Sequence, residues 1–271
     1  MSKNGNSMKD TFQSVFATSA ILIALVISIL IYMFIMGNPV NFEGGNPEGH
    51  PLPGNYLAMI YKGGVIVPML ITLLLVVIIF SIERSITIGK AKGKTRLNIF
   101  VKNLQNLIAE NKIENAINEC DIQKGSLANV MKAALVKYRE LEKDETLVKD
   151  QKILSLQKEL EEATALELPM LSRNLVILST IASISVLVGL IGTVIGMIRA
   201  FSALANAGAP DALALATGIS EALINTAFGI AGSAFAIIFY NYFSTKIDQL
   251  TFKIDEAGFS LVQTFASRVK K

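Results

Sequence analysis

Four long stretches of this 271-residue chain contain no Asp, Glu, Lys or Arg; they cover residues 11–42, 63–82, 174–198 and 222–245. A helix rises about 1.5 Å per residue, so each stretch is long enough to cross a hydrocarbon core of about 30 Å. The mean hydropathy of +0.49 and the charged fraction of 17% are also outside the range of ordinary soluble domains. The sequence therefore predicts an all-α membrane protein with four transmembrane helices.

The first stretch raises the alternative of a cleaved signal peptide, because it follows Lys3 and Lys9. Its apolar core, residues 16–36, is longer than the apolar region of a signal peptide, and the MGNPVN that ends it offers no small-x-small cleavage site. We therefore expect residues 1–62 to form an additional, uncleaved N-terminal transmembrane helix and a periplasmic loop. The Pro, Gly and Asn content of residues 38–55 predicts a loop without regular structure.

The basic residues predict the orientation, because Lys and Arg near membrane helices stay in the cytoplasm. Residues 37–62 contain one such residue, Lys62. Six follow the second stretch, namely Arg84, Lys90, Lys92, Lys94, Arg96 and Lys102. Both termini are therefore expected to lie in the cytoplasm.

Between the second and third stretches, residues 83–173 hold 30 of the 47 charged side chains. Apolar residues recur there at spacings of three and four, which predicts a cytoplasmic domain of amphipathic helices. Pro169 is expected to kink the chain before it enters the membrane, and Cys120 is interpreted as a buried, unreactive thiol. The remaining divisions are a transmembrane helix at 63–82, a transmembrane hairpin at 174–245 and a cytoplasmic C-terminal helix at 246–271.

Small residues mark the contact faces of the predicted hairpin. Gly192 and Gly196 have the GxxxG spacing, with Gly189 one turn earlier, and Gly229 with Ser233 repeats the pattern in the last helix. This spacing lets helix backbones approach closely, either within one subunit or between neighbours.

Glu221 is the one charged residue in residues 212–245. A charge inside the hydrocarbon core costs at least about 2.5 kcal/mol on insertion scales, so this carboxyl should face protein or water. If the membrane begins near Asp211, Glu221 lies near the midplane, while Arg199 and Asp211 snorkel or pair across the short turn. Two interpretations remain open: Glu221 loads and releases a proton, or a protonated Glu221 only joins two helices.

Hydroxyl and amide groups accompany this carboxyl, among them Thr193 in the third helix and Asn225 and Thr226 in the fourth. Thr226 lies about 140° around the helix from Glu221, so the last helix has two polar faces. One face could meet a neighbouring helix while the other lines a pore; alternatively, each threonine bonds only to its own backbone.

Other functional classes lack a basis in the sequence. The single histidine, His50, lies in the predicted external loop, and no nucleophile, metal-ligand cluster or phosphate-binding loop accompanies it. We therefore expect no enzyme, no catalytic residue, no cofactor and no metal site. A net charge of +3 without interleaved aromatic residues also argues against nucleic acid. A secondary transporter would be expected to show two repeated halves.

Three motifs carry a resemblance to a known family. VGLIGTVIGMIRAF at 188–201 and ATGISEALINTAFGIAGSAFAIIFYNYF at 216–243 closely resemble the last two membrane helices of the ExbB/TolQ/MotA proton-channel family. FSIERSITIGKAKGK at 80–94 resembles the end of that family's first helix, and the similarity is strongest to the ExbB and TolQ branch. It implies that Thr193 and Thr226 face the pore, that Glu221 is the intramembrane glutamate and that Asn241 is structural.

The resemblance also implies an assembly: a homopentamer around a central pore, with long cytoplasmic helical extensions. Inside the ring would stand two membrane helices of an ExbD- or TolR-like subunit, each with an Asp, in a 5:2 complex. Such a complex in the bacterial inner membrane uses the proton motive force to act across the periplasm, and an ExbB-like one powers TonB-dependent outer-membrane transport through a TonB-like protein. A TolQ-like role in envelope integrity, a gliding or flagellar-type stator and a passive scaffold are the alternatives.

Two departures from the family pattern concern the first helix and Val186. The N-terminal helix is additional to the three helices of the ExbB and TolQ branch, and we expect it outside the pore as a peripheral collar. Val186 stands where family members usually have a proline. The choice between proton and sodium, and the motor that is powered, stay open.

Overall fold

The computed structural model describes residues 3–47, 49–206 and 212–268, and these residues are helical almost throughout. The α-helices are α1 (Lys3–Leu30), α2 (Tyr56–Tyr61), α3 (Ile66–Ala91), α4 (Leu97–Ala109), α5 (Ile113–Gln123), α6 (Ser126–Lys143), α7 (Lys149–Ser172), α8 (Leu175–Asn206) and α9 (Ala212–Arg268). In this described part of the chain the only β-pairing is an isolated bridge between Phe42 and Pro51. The prediction of an all-α fold is confirmed.

Four helical stretches are long and apolar enough to cross a membrane: Ala17–Met36, Ile66–Ala91, Lys149–Ser202 and Leu215–Arg268. Each overlaps one of the predicted transmembrane helices. The last two are longer than a bilayer needs, because α7 and α8 are separated only by Arg173 and Asn174, and α9 alone has 57 residues. At about 1.5 Å per residue α9 is about 85 Å long.

The first of two compact units, here called the apolar unit, lies within Met1–Ser81 and Ile177–Phe239. Small side chains line the inner face of α1, where Ala24 and Ser28 are both fully buried. Ser28 Oγ lies 2.7 Å from Thr72 Oγ of α3. The other faces of α1 expose apolar side chains such as Leu22 and Val26, as a lipid-facing helix would.

The turn that follows α1 is joined to the end of α2 by aromatic packing. A π-helical turn, Ile31–Met36, extends α1 and carries Tyr32. The ring of Tyr32 stacks on that of Tyr61 with centroids 4.6 Å apart, and its hydroxyl donates to Tyr61 O at 3.0 Å. The N-terminal helix and the turn after it are therefore packed against the apolar unit at Ser28 and Tyr32.

The loop after α1 is more ordered than its composition indicated. Two short 3₁₀ turns, Pro39–Asn41 and Glu43–Gly45, precede α2, so the expectation of no regular structure at 38–55 was only partly right. Asn55 caps α2 by accepting from the amides of Leu57 and Ala58, and its Nδ2 donates to Asn41 Oδ1 at 3.0 Å. The asparagines that marked a loop thus hold specific turns together.

The second unit, here called the charged unit, lies within Ile82–Val176 and Tyr240–Lys271. Its helices bury the apolar stripes predicted for residues 97–138, with Phe100, Leu104, Met131 and Tyr138 at 1% exposure or less. Phe265, near the end of α9, meets Tyr138 edge-on with ring centroids 4.7 Å apart. The predicted amphipathic helices of this region are confirmed.

Pro169 was expected to kink the chain, and it lies inside α7, which runs through it to Ser172. A proline removes one amide donor, and here it does so within the last turn of the helix. The break falls instead at residues 173–174, next to the 3%-exposed Arg84. The guanidinium of Arg84 donates to Leu171 O at 2.9 Å and to both carboxylate oxygens of Glu83, which satisfies a carbonyl at the end of α7.

Cys120 of α5 is 3% exposed, and burial, reinforced by the neighbouring carboxylates of Asp121 and Glu119, raises the pKa of its thiol to about 12. Thiolate is the reactive form, so we predict that iodoacetamide does not modify Cys120 at pH 8 in the folded protein but does so after unfolding. Mass spectrometry of the labelled protein, with and without denaturant, measures this. Modification of the native protein at the rate of a free cysteine would contradict the burial of this thiol.

Candidate functional site

Glycines bring the backbones of α8 and α9 into direct contact. A Cβ added at Gly189 would lie 2.9 Å from Asn225 O and 3.1 Å from Gly229 Cα. One added at Gly196 would lie 3.1 Å from the Cβ of Ala222. These three distances are shorter than ordinary contacts of a Cβ atom. A larger residue at Gly189 or Gly196 would therefore push the two helices apart.

Asn225 lies in this contact and joins it to the residues before α3. Its side chain is 2% exposed and packs on Gly192, where an added Cβ would be 2.6 Å from the Cβ of Asn225. The Nδ2 of Asn225 donates to Gly63 O at 3.0 Å. Its Oδ1 is buried and accepts no hydrogen bond from the described residues. Asn225 is thus held by the hairpin and by the chain before α3 together.

Thr193 of α8 and Thr226 of α9 are hydrogen-bonded to each other across the hairpin. Both are half-buried, and Thr193 Oγ also lies 3.1 Å from Gly189 O. Thr193 lines an open groove of about 570 Å³, whose other residues are Val194, Met197, Ile198, Phe201 and Ser202. Thr193, held by its hydrogen bond to Thr226, therefore places a hydroxyl group in a groove that is otherwise mostly apolar.

Glu221 is half-buried and lines a different cavity, of about 250 Å³. Pro51, Met59 and Lys62 line it from the segment before α3, which includes α2, and Ala216, Thr217 and Ser220 line it from the same helix as Glu221. This cavity and the groove of Thr193 share no lining residue. The depth of Glu221 in the membrane stays a prediction, and the cavity places its side chain beside residues of the connection between α1 and α3.

Lys62 also lines this cavity, whereas in the sequence it indicated only the orientation of the chain in the membrane. It is the single Lys or Arg of residues 37–62, and this isolation was the signal that could have singled it out. Arg199 lies beside Gly64, where an added Cβ would be 2.9 Å from its Nη1. Asp211, its expected partner, lies outside the described residues.

The remaining predicted residue, Asn241, belongs to the charged unit and has an exposed side chain. Its carbonyl accepts a hydrogen bond from Thr245 Oγ at 2.8 Å. Among the described residues, no three His, Cys, Asp or Glu side chains are grouped closely enough to hold a metal ion.

Comparisons with known proteins match the part of the chain that contains this hairpin. The model of the MotA/TolQ/ExbB proton channel family matches residues 122–256, about half of the chain. The chain is 41% identical over 86 residues to an ExbB-like biopolymer transport protein of Synechocystis, a match covering 31% of this chain and 41% of the relative. It is 38% identical over 84 residues to the Tol-Pal system protein TolQ of Haemophilus influenzae, covering 31% and 37% respectively.

A third relative is the biopolymer transport protein ExbB of Salmonella typhimurium, 40% identical over 70 residues, or 26% of this chain and 29% of the relative. The chain thus spans less than half of the length of the curated relatives it matches. The family match includes α8 and most of α9, the helices that carry Thr193, Glu221 and Thr226. Through residues 122–256 the chain belongs to the MotA/TolQ/ExbB proton channel family.

Proposed function

We propose that this protein is the proton-conducting subunit of an inner-membrane motor, which uses the proton motive force to energise a partner acting across the periplasm. The observation that carries the proposal is the pair of hydrogen-bonded threonines, Thr193 and Thr226, beside an open groove in a hairpin that also holds Glu221. A proton that crosses 100 mV releases about 2.3 kcal/mol, which repeated crossings can convert into movement of a partner.

The residues of the hairpin have different roles in this proposal. Glu221 accepts and releases the proton, because an acid in a small cavity beside Thr217 and Ser220 can exchange with water that enters there. Thr193 and Thr226 line the ion pathway. Gly192, Gly196 and Asn225 keep the two helices close enough for this arrangement, and Asn241 supports the helix beyond the hairpin.

The partner in this proposal is an ExbD- or TolR-like subunit with one membrane helix that carries an Asp. The groove at Thr193 suits such a helix, since most of its lining is apolar and a hydroxyl lies at its edge. Five copies of the chain would surround two partner helices, with the N-terminal helix outside the pore. Lys and Arg beyond the second membrane helix support cytoplasmic termini and a bacterial inner-membrane location.

An ExbB-like role in TonB-dependent outer-membrane transport is the first candidate. A TolQ-like role is the second, favoured by the 38% identity to a TolQ protein. Both roles belong to transport rather than catalysis, as the description of the family as a proton channel implies.

The double substitution Thr193→Val with Thr226→Val tests the pathway. Removing both partners of a hydrogen bond and keeping their shape leaves packing nearly unchanged, so the assembly should form normally. We expect proton flux through the complex in vesicles, followed with a pH-sensitive dye, to fall about 10-fold, the effect of losing about 1.4 kcal/mol of stabilisation for the passing ion.

Thr245→Val is the matched control, because the hydroxyl of Thr245 bonds only to Asn241 O in its own helix. This variant should conduct like the wild type. If the double variant assembles and its flux equals that of Thr245→Val, the threonine pair is not part of the pathway.

A further inference from the structure

A basic cleft of about 850 Å³ lies in the charged unit, between the end of α3 and the middle of α9. Four cationic side chains line it, Lys92, Lys94, Arg96 and Lys253, against one carboxylate, Asp248. Among the described residues Lys253 pairs with Glu256 at 2.6 Å, whereas no ion pair involves the other three. The cleft therefore has an excess of positive charge, which Asp248 compensates only in part.

The start of α4 adds to this field. Arg96 precedes the 13-residue helix without a side-chain cap, and the first turn of the helix contains no acidic residue. Leu97 and Asn98, the first two residues of the helix, line the cleft. Because the amides of a first turn carry partial positive charge, they reinforce the attraction that the three free cations exert on an anion.

The segment that carries these cations is held in place by a buried side chain. Gln123 is 2% exposed, and its Nε2 donates to Lys92 O and Thr95 O at 3.0 Å each. Its Oε1 accepts from Thr95 N at 2.9 Å. The backbone of residues 92–95 is thereby fixed from both sides, so the cleft is a built feature rather than a set of independent surface lysines.

The position of the cleft along the chain indicates the depth at which its ligand lies. Thr245, the last residue of an uncharged stretch, lines the cleft directly. Gly89, which also lines it, follows Ile82, the end of another uncharged stretch, by seven residues or about 10 Å of helix. The headgroup layer of a bilayer extends about 5–8 Å beyond the hydrocarbon on each side, so the cleft lies at that layer and in the water next to it.

We propose that this cleft binds the phosphate headgroup of an acidic phospholipid. Lys92, Lys94 and Arg96 contact the phosphate, together with the first amides of α4. Phe252, 64% exposed, and Leu97 offer apolar surface to the glycerol and the start of the acyl chains. This proposal is independent of the proposed ion pathway, whose residues lie in the apolar unit.

Binding of a fluorescent phosphatidylglycerol to the purified full-length complex in detergent tests the proposal. The triple variant Lys92→Gln, Lys94→Gln, Arg96→Gln should bind this lipid about 10- to 100-fold more weakly, as expected for three cations near an anionic headgroup. The control variant Lys112→Gln, Lys143→Gln, Lys158→Gln removes the same charge from exposed positions outside the cleft and should change the affinity by less than about 2-fold.

A second variant keeps the test decisive if the triple variant is unstable. Asn98→Glu places an acid in the first turn of α4, which favours the helix but repels a phosphate. It should therefore keep or raise the thermal unfolding temperature while weakening phosphatidylglycerol binding several-fold. Equal losses in both triple variants, no loss in the cleft variants, or equal binding of phosphatidylcholine would overturn the proposal. Full displacement of the lipid by millimolar inorganic phosphate would also overturn it, because the site would then serve a soluble anion.

Discussion

Replacing Glu221 by Gln is expected to abolish energised function while the protein still folds and assembles. Glutamine keeps the size of the side chain and can still donate and accept hydrogen bonds, but it cannot release a proton. Its neighbours Thr217 and Ser220 would keep the same polar surroundings. Positioned acid and base groups typically contribute 100-fold or more to proton transfer, so proton flux through the complex should fall at least about 100-fold.

The matched control is Glu256→Gln on the same helix, where an exposed carboxylate pairs with Lys253 at the surface. A surface ion pair is worth about 1 kcal/mol or less, so this variant should assemble and conduct like the wild type. Growth that depends on the energised partner and dye-monitored flux in vesicles would both be measured. The scaffold interpretation expects Glu221→Gln to behave like Glu256→Gln, and that outcome would remove Glu221 from the ion pathway.

Replacing Gly189 by Val should have the largest effect on stability. Backbone atoms surround the position of the new Cβ: Asn225 O at 2.9 Å, Gly229 Cα at 3.1 Å and Thr226 Cα at 3.4 Å. Backbone cannot move aside as a flexible side chain can, so α8 and α9 would have to separate. Overpacking of this kind costs about 1–3 kcal/mol, and the separation would also pull Thr193 away from Thr226.

The control for this variant is Gly89→Val on α3, because no atom lies within 4 Å of a Cβ added at Gly89. Valine has a slightly better helix propensity than glycine, so Gly89→Val should unfold at or above the wild-type temperature. Gly189→Val should unfold at a lower temperature and lose conduction. Equal unfolding temperatures for the two variants would show that the hairpin tolerates wider spacing than its glycines indicate.

The helices were predictable because their apolar residues follow a regular spacing. Glu221 could be singled out because it interrupts a stretch without other charges. The spacing of Phe100, Leu104 and Met131 indicated buried faces directly, since the side chains of a helix repeat every 3.6 residues. Glu221 attracted attention because an acid inside an apolar stretch is costly. The contact of Lys62 with the cavity of Glu221 followed no such rule, because it depends on how an irregular loop returns to the bundle.

The behaviour of Pro169 and the contacts of Gln123 likewise could not be predicted from the sequence. Proline usually signals a break, yet α7 runs through Pro169 and ends three residues later at Ser172. Gln123 has no sequence pattern that reveals its three hydrogen bonds to residues 92 and 95, since these partners lie about 30 positions away. Sequence periodicity reports which face of a helix is buried, but a polar side chain that organises a distant segment leaves no periodic trace.

The separation of Glu221 from the groove of Thr193 bears on whether an unassembled subunit would leak protons. A membrane keeps its proton gradient only while it is impermeable to ions. A single chain with a continuous aqueous path would dissipate that gradient. The cavity of Glu221 and the groove of Thr193 have no lining residue in common, so the two sites of the proposed pathway are not parts of one cavity within a single chain. In the proposed motor, a partner or a neighbouring copy would have to connect the two sites. Proton flux would then begin only after assembly.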